Sequence, residues 1–149
     1  MNIIESYMEF LYLCESDVYT LFYFWSDRKL KDWNISRIEY GKEWCQDALD
    51  FAYRMVKTGL MDIDYSDNGP TSEEMKKIFQ DLSVSSPDIA EGGAIWSAYQ
   101  FFLTKKGEDF VREWKHSEDN ELFERKLTEM LDDHDVGFDK RSFVPVNFQ

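Results

Sequence analysis

The sequence predicts a mainly α domain of about six helices with a small two-stranded antiparallel sheet. Three observations predict it. Apolar residues recur at helical spacing through most of the chain, and cap-forming residues bound each stripe. Only two short runs read as strands, 60–63 and 95–103. Aromatic residues make up 17% of the 149, which gives one domain of this length ample volume for a full core. No internal repeat divides the chain, so residues 1–149 read as a single domain.

The first helix spans 3–13 and gathers Ile3, Ile4, Tyr7, Met8, Phe10 and Leu11 on one side, ending near Cys14. Ser16 then reads as an N-cap and Asp17 as a first-turn acid for a second segment, 17–30. Its run 18–25 is almost wholly apolar. A buried helix suits it, and a strand is the alternative, since Val, Tyr, Thr, Phe and Trp favour strands.

Asn34 or Ser36 opens the third helix, and Ser36 with Glu39 has the spacing of a capping box. Trp44, Cys45, Ala48, Leu49, Ala52, Met55 and Val56 carry its apolar stripe, Lys57 suits its last turn, and Gly59 ends it.

Residues 64–93 read as an acidic, loop-rich insertion. The run 65–70, Tyr-Ser-Asp-Asn-Gly-Pro, is turn chemistry. Thr71 or Ser72 caps a short helix over 73–82, with Met75, Ile78, Phe79 and Leu82 on one face; 83–93 reads as loop, with Pro87 and the Gly92-Gly93 pair. From Asp62 to Glu91 eight acids face two lysines, the most acidic stretch of the chain.

The strand at 95–103 holds Trp96, Tyr99, Phe101 and Phe102. Thr104 caps a helix over 105–115 that buries Phe110, Val111 and Trp114. Ser117 caps a last helix to Leu131, with Leu122, Phe123, Leu127, Met130 and Leu131 inward. The tail, 137–149, is extended, aromatic and basic at Lys140 and Arg141. It carries no cap signal and is either mobile or laid over the body.

Charge narrows the function. Thirty acids against seventeen basic residues give a net charge of −13. Affinity for nucleic acid comes largely from Lys and Arg displacing counterions, so this chain repels a bare phosphate backbone. A basic protein is attracted and steered by the same field. Cys14 and Cys45 read as buried, reduced thiols; with no basic, apolar leader and no 18-residue apolar span, the expected location is cytoplasmic and not membrane-bound.

Motifs for chemistry are weak. Asp62, Asp64, Ser66 and Glu73 have the 1, 3, 5, 12 spacing of a calcium loop, but Asp67 stands where the turn needs Gly, and Gly69 where an apolar residue belongs. Asp132, Asp133, His134 and Asp135 read as a solvated helix end, and His116 as a cation suited to a helix C-terminus. No nucleophile motif places either histidine, and Gly92-Gly93 lacks the lysine of a phosphate loop. The expectation is therefore no catalytic residue, no metal and no cofactor. The candidate partner-binding residues are the acids Asp62, Asp64, Asp67, Glu73, Glu74, Asp88 and Glu91, with Tyr65 and Trp96 as aromatic anchors.

One stretch carries a resemblance. Phe102-Leu103-Thr104-Lys105-Lys106-Gly107-Glu108 resembles the strand-to-helix junction of bacterial winged-helix domains, where a strand ends in Leu-Thr-x-Lys-Gly and opens a helix. Residues 48–60 followed by Met61-Asp62-Ile63 resemble the helix that runs into the first wing strand. The resemblance covers 36–114 and implies a winged-helix-like core. The chain departs from that family in its connection of about thirty residues between the strands, far longer than a hairpin. The helix that would enter DNA, 36–58, also sets Arg37, Lys42, Arg54 and Lys57 against Glu39, Glu43, Asp47 and Asp50, which is no phosphate-binding face.

In size, acidity, aromatic content and expected location, the chain is similar in kind to bacterial toxin-immunity proteins of contact-dependent growth inhibition systems. That resemblance implies a cytoplasmic inhibitor that occludes the active site of a basic toxin nuclease domain. The alternative is a winged-helix-like regulator or adaptor that acts through protein contacts.

Overall fold

A computed structural model describes residues 2–25, 40–115 and 120–148. These form six helices and one two-stranded antiparallel sheet, so the protein is mainly α, as its sequence predicts. The helices are α1 (Ile3–Leu13), α2 (Lys42–Thr58), α3 (Ser72–Ser83), α4 (Ala90–Ala98), α5 (Lys105–Trp114) and α6 (Asn120–Asp133). The strands are β1 (Met61–Ile63) and β2 (Phe101–Leu103), paired Met61 with Leu103 and Ile63 with Phe101.

Helix α2 is the spine of the domain. Its stripe buries Trp44, Cys45, Ala48, Leu49, Phe51, Ala52 and Met55 completely or nearly so. Phe51 meets Tyr7 and Phe10 of α1 edge-on, with ring centroids 4.7 and 4.9 Å apart, and stacks on Phe24. Trp44 packs on Trp96 at 5.5 Å and donates its indole N–H to the Phe24 carbonyl.

Gly59 ends α2 in the left-handed region, at φ 76°, and turns the chain into β1. The Thr104 side chain caps α5 by accepting the Gly107 N–H, and its hydroxyl donates to the Gly59 carbonyl. A Cβ on Gly107 would lie 2.0 Å from the Leu60 carbonyl oxygen, so only glycine lets α5 pack this close.

Three expectations need correction. The segment from 17 is not an α-helix where it is described. Tyr19 exchanges both backbone hydrogen bonds with Phe101, and Leu21–Tyr23 is a single 3₁₀ turn. Tyr19 thus adds a third edge to the sheet beyond β2, while Leu21 and Phe24 turn into the core. Second, α2 starts at Lys42 with Gly41 at its N-cap, not at residue 34 or 36; Asn34 and the Ser36–Glu39 capping box lie outside the described residues.

Third, 90–98 is helix, not loop followed by strand, and the strand shrinks to Phe101–Leu103. The insertion is accordingly two helices joined by short turns. Gly92 reads as a breaker in sequence but serves close packing, because a Cβ there would sit 1.7 Å from the Ser86 carbonyl oxygen. At the last helix, His116 and the Ser117 cap lie outside the described residues, and Trp114 is half-buried.

The tail is laid over the body. Gln46, Asp50 and Arg54, one turn apart on α2, hold it by its backbone. Arg54 donates to the carbonyls of Val136 (2.8 Å), Gly137 (3.0 Å) and Lys140 (2.6 Å) and to the Tyr7 hydroxyl (2.9 Å). Its guanidinium also faces the rings of Phe138 and Phe143. Asp50 accepts the N–H groups of Ser142 and Phe143, and Gln46 bonds Val144 and Val146. Asn147 closes the strap on the Ser83 carbonyl of α3. Asp50 and Arg54 are thus buried polar groups with their hydrogen-bonding needs met by a segment that otherwise lacks regular structure.

Candidate functional site

The acidic connection between β1 and β2 holds nearly all of the candidate residues. The Asp64 N–H donates to the Gln100 carbonyl at 2.9 Å and carries the ladder one residue beyond β1. A tight turn follows, in which Ser66 bonds Gly69 through backbone and hydroxyl, and Gly69 takes φ 73°. Thr71 and Glu74 then form a reciprocal capping box that starts α3. The Thr71 N–H draws the Glu74 carboxyl below its usual range, and the Tyr65 phenol adds to this by bonding the same carboxylate. That bond to an anion raises the Tyr65 phenol in turn.

The candidates divide into two groups. Asp64, Asp67, Glu73 and Glu91 are exposed and form no ion pair among the described residues. Tyr65 stands among them, 47% exposed. These five side chains are available to a partner.

The others serve the fold. Asp62 accepts its neighbour Ile63 N–H at 2.8 Å and lies against Gly69. Asp88 accepts the Tyr40 N–H at 2.7 Å. Glu74 is the α3 cap. Trp96 overturns the expectation of an anchor: it is 1% exposed, donates its indole N–H to the Ser85 carbonyl at 2.8 Å, and packs between Phe22 and Trp44.

Tyr99 is the other tyrosine near this connection. Carried two residues past the paired strands, through the Asp64 N–H on the Gln100 carbonyl, the register sets it across from Tyr65, whose phenol it raises slightly. It is half-buried, and burial, then Asp81 on α3, raises its own phenol. The face thus carries two phenols within a field of carboxylates from the turn and from α3. The sequence shows both tyrosines, but only the register, 61 with 103, puts 65 beside 99.

Among the described residues no three His, Cys, Asp or Glu side chains converge as a metal site requires. The calcium-like spacing is not a calcium-like shape, because Asp62 folds back on its own strand and Ser66 bonds its own turn. At the other acidic run, His134 Nδ1 lies 2.8 Å from the Met130 carbonyl oxygen, and Asp135 pairs with Lys140. Both cysteines are free and buried; burial pushes the Cys14 thiol up to about 12, with Asp17 adding to it, and raises Cys45 likewise. Neither is a ready nucleophile. No described helix is long and apolar enough to cross a membrane. Comparison with known families, with curated proteins and with solved structures finds no match.

Proposed function

We propose that this chain is an acidic binding protein that neutralises a basic protein, in the manner of a cytoplasmic immunity protein covering the active site of a toxin nuclease domain. The observation that carries this reading is the exposed set Asp64, Asp67, Glu73 and Glu91 around Tyr65, on a chain of net charge −13. A nuclease holds its substrate's phosphates with Lys and Arg. Carboxylates spaced along a rigid surface can occupy those cations in place of phosphate, and tyrosine rings give the same cations a π face. Opposite charge speeds encounter, and contacts that exclude water slow release.

Helix α2 supports this over direct nucleic-acid binding. It is the helix that the winged-helix resemblance would send into a DNA groove, yet the core and the tail cover it, and Arg54 is spent on the tail's carbonyls. The second reading, a winged-helix-like adaptor acting through protein contacts, draws on the run from α2 through β1 and β2 into α5, with Tyr19 bridged to β2 as a third edge. Light scattering of the protein mixed with a basic nuclease domain encoded beside it, with nuclease activity measured in parallel, tests the first reading. A one-to-one complex and lost nuclease activity are expected. Full nuclease activity in the presence of excess protein would overturn it.

A further inference from the structure

A groove of about 720 Å³ opens between the C-terminal half of α2, the start of β1, α3 and the tail. That size lies within the range of small-molecule sites. Its walls are Val56, Met61, Met75, Phe79, Val144 and Pro145. Tyr53 and Phe143 also line it, stacked face to face with centroids 4.6 Å apart and planes 7° apart, and form its aromatic wall. The tail therefore builds part of this groove as well as strapping α2.

The charge around the groove runs against the rest of the molecule. Lys57 and Lys76 line it, both exposed. Neither has a carboxylate partner among the described residues, on a chain where acids outnumber bases thirty to seventeen. Lys57 holds its ammonium 5.6 Å from the Tyr53 ring centroid, above the aromatic wall. Asp62 is the one carboxylate in the lining, and it is engaged by the Ile63 N–H. Thr71, Ser72 and Gln80 add neutral hydrogen-bonding groups at the α3 side.

We infer that this groove binds a small amphipathic carboxylate, with its apolar body against the Tyr53–Phe143 wall and Met75, and its anionic head at Lys57 and Lys76. The occupant follows from complementarity: an apolar floor rewards burial of a chain or ring, and two exposed ammonium groups without a carboxylate partner among the described residues reward one negative head. A neutral ligand of the same shape forgoes the second contribution, and a cationic one opposes it. The groove shares Asp62, Thr71 and Ser72 with the acidic connection, but its lining holds none of the exposed set Asp64, Tyr65, Asp67, Glu73 and Glu91, so the inference does not depend on the reading of that set.

Titration of the ¹⁵N-labelled full chain with decanoate, kept below its micelle-forming concentration, tests the inference. Saturable amide shifts are expected in 53–62, 71–80 and 143–146. Decanol should bind more weakly, and decylammonium more weakly still. Lys57→Gln with Lys76→Gln should weaken decanoate about tenfold, the combined scale of two partly exposed ion pairs, and leave decanol unchanged. Met75→Trp should fill the groove and weaken both ligands; the spectrum of each variant alone reports whether it is folded. Equal affinity for decanoate and decanol, unchanged decanoate binding in the double lysine variant, shifts centred elsewhere, or no saturation would each overturn the inference.

Discussion

Replacing Arg54 with methionine should release the C-terminal strap and cost the protein a large share of its stability. Methionine keeps much of the stem's length and packing but removes every donor. Four hydrogen bonds are lost, to the carbonyls of Val136, Gly137 and Lys140 and to the Tyr7 hydroxyl. Lys140 is exposed, so water can satisfy its carbonyl, whereas Tyr7, Val136 and Gly137 are buried. Three buried groups left without a partner cost about 1–3 kcal/mol each. These losses are not additive, and removing a buried charge returns part of its desolvation cost. A net loss of about 3–5 kcal/mol follows, equivalent in a domain of this size to a fall in Tm of roughly 10 °C or more. Thermal unfolding followed by circular dichroism measures it. Hydrogen exchange at the amides of Ser142, Phe143, Val146 and Asn147 supplies the local readout, since their acceptors lie on α2 and α3. A Tm within a degree or two of the parent, with those amides still protected, would refute the claim that Arg54 holds the strap.

Further outcomes follow from other contacts. Thr104→Ala should lower stability by about 1 kcal/mol through loss of an N-cap, and Gly107→Val by more, since its Cβ would meet the Leu60 carbonyl; unchanged unfolding midpoints in both would contradict the described junction. The thiols of Cys14 and Cys45 should react with a disulfide reagent only at the rate of unfolding, and fast labelling of the native protein would contradict their burial. The Cys14 thiol is raised from 9.0 to about 12 in the folded protein. Its contribution is therefore intact below pH 9 and lost as pH rises toward 12, because the unfolded thiol ionises first; denaturant titrations from pH 8 to pH 11 should show stability falling, and a flat profile would contradict this. Duplex DNA at physiological salt should not bind, and sub-micromolar anisotropy binding would favour a regulator.

Much of the fold was legible because its signals are local. The stripe from Trp44 to Val56, the Gly59 stop and the Thr71 and Thr104 caps all follow from side-chain chemistry within a few residues. The failures came where distant partners decided. Tyr19 became an edge bridge because Phe101 was there to pair with it. Gly92 is required inside a helix because a Cβ there would meet the Ser86 carbonyl. The strap was ambiguous because its hydrogen bonds come from Gln46, Asp50 and Arg54, some ninety residues earlier.

The candidate residues were chosen from composition, which marks 62–91 as acidic; within that stretch Asp64, Asp67, Glu73 and Glu91 are exposed. Burial then removed Trp96, and backbone hydrogen bonds engaged Asp62 and Asp88. An aspartate that caps its own neighbour looks the same in sequence as one that faces a partner. Tyr99 was passed over because its place beside Tyr65 depends on strand pairing.

Stopped-flow association with the basic nuclease domain proposed as its partner, measured across ionic strengths, is the sharpest test of the proposed face. The parent is compared with the triple variant Asp64→Asn, Asp67→Asn and Glu73→Gln. These three side chains are exposed and unpaired among the described residues, so folding should be unaffected. The parent should associate fast and in a salt-sensitive way, and the variant more slowly with a flatter dependence on salt. An identical rate and salt slope in the folded variant would contradict the assignment of this face to partner recognition.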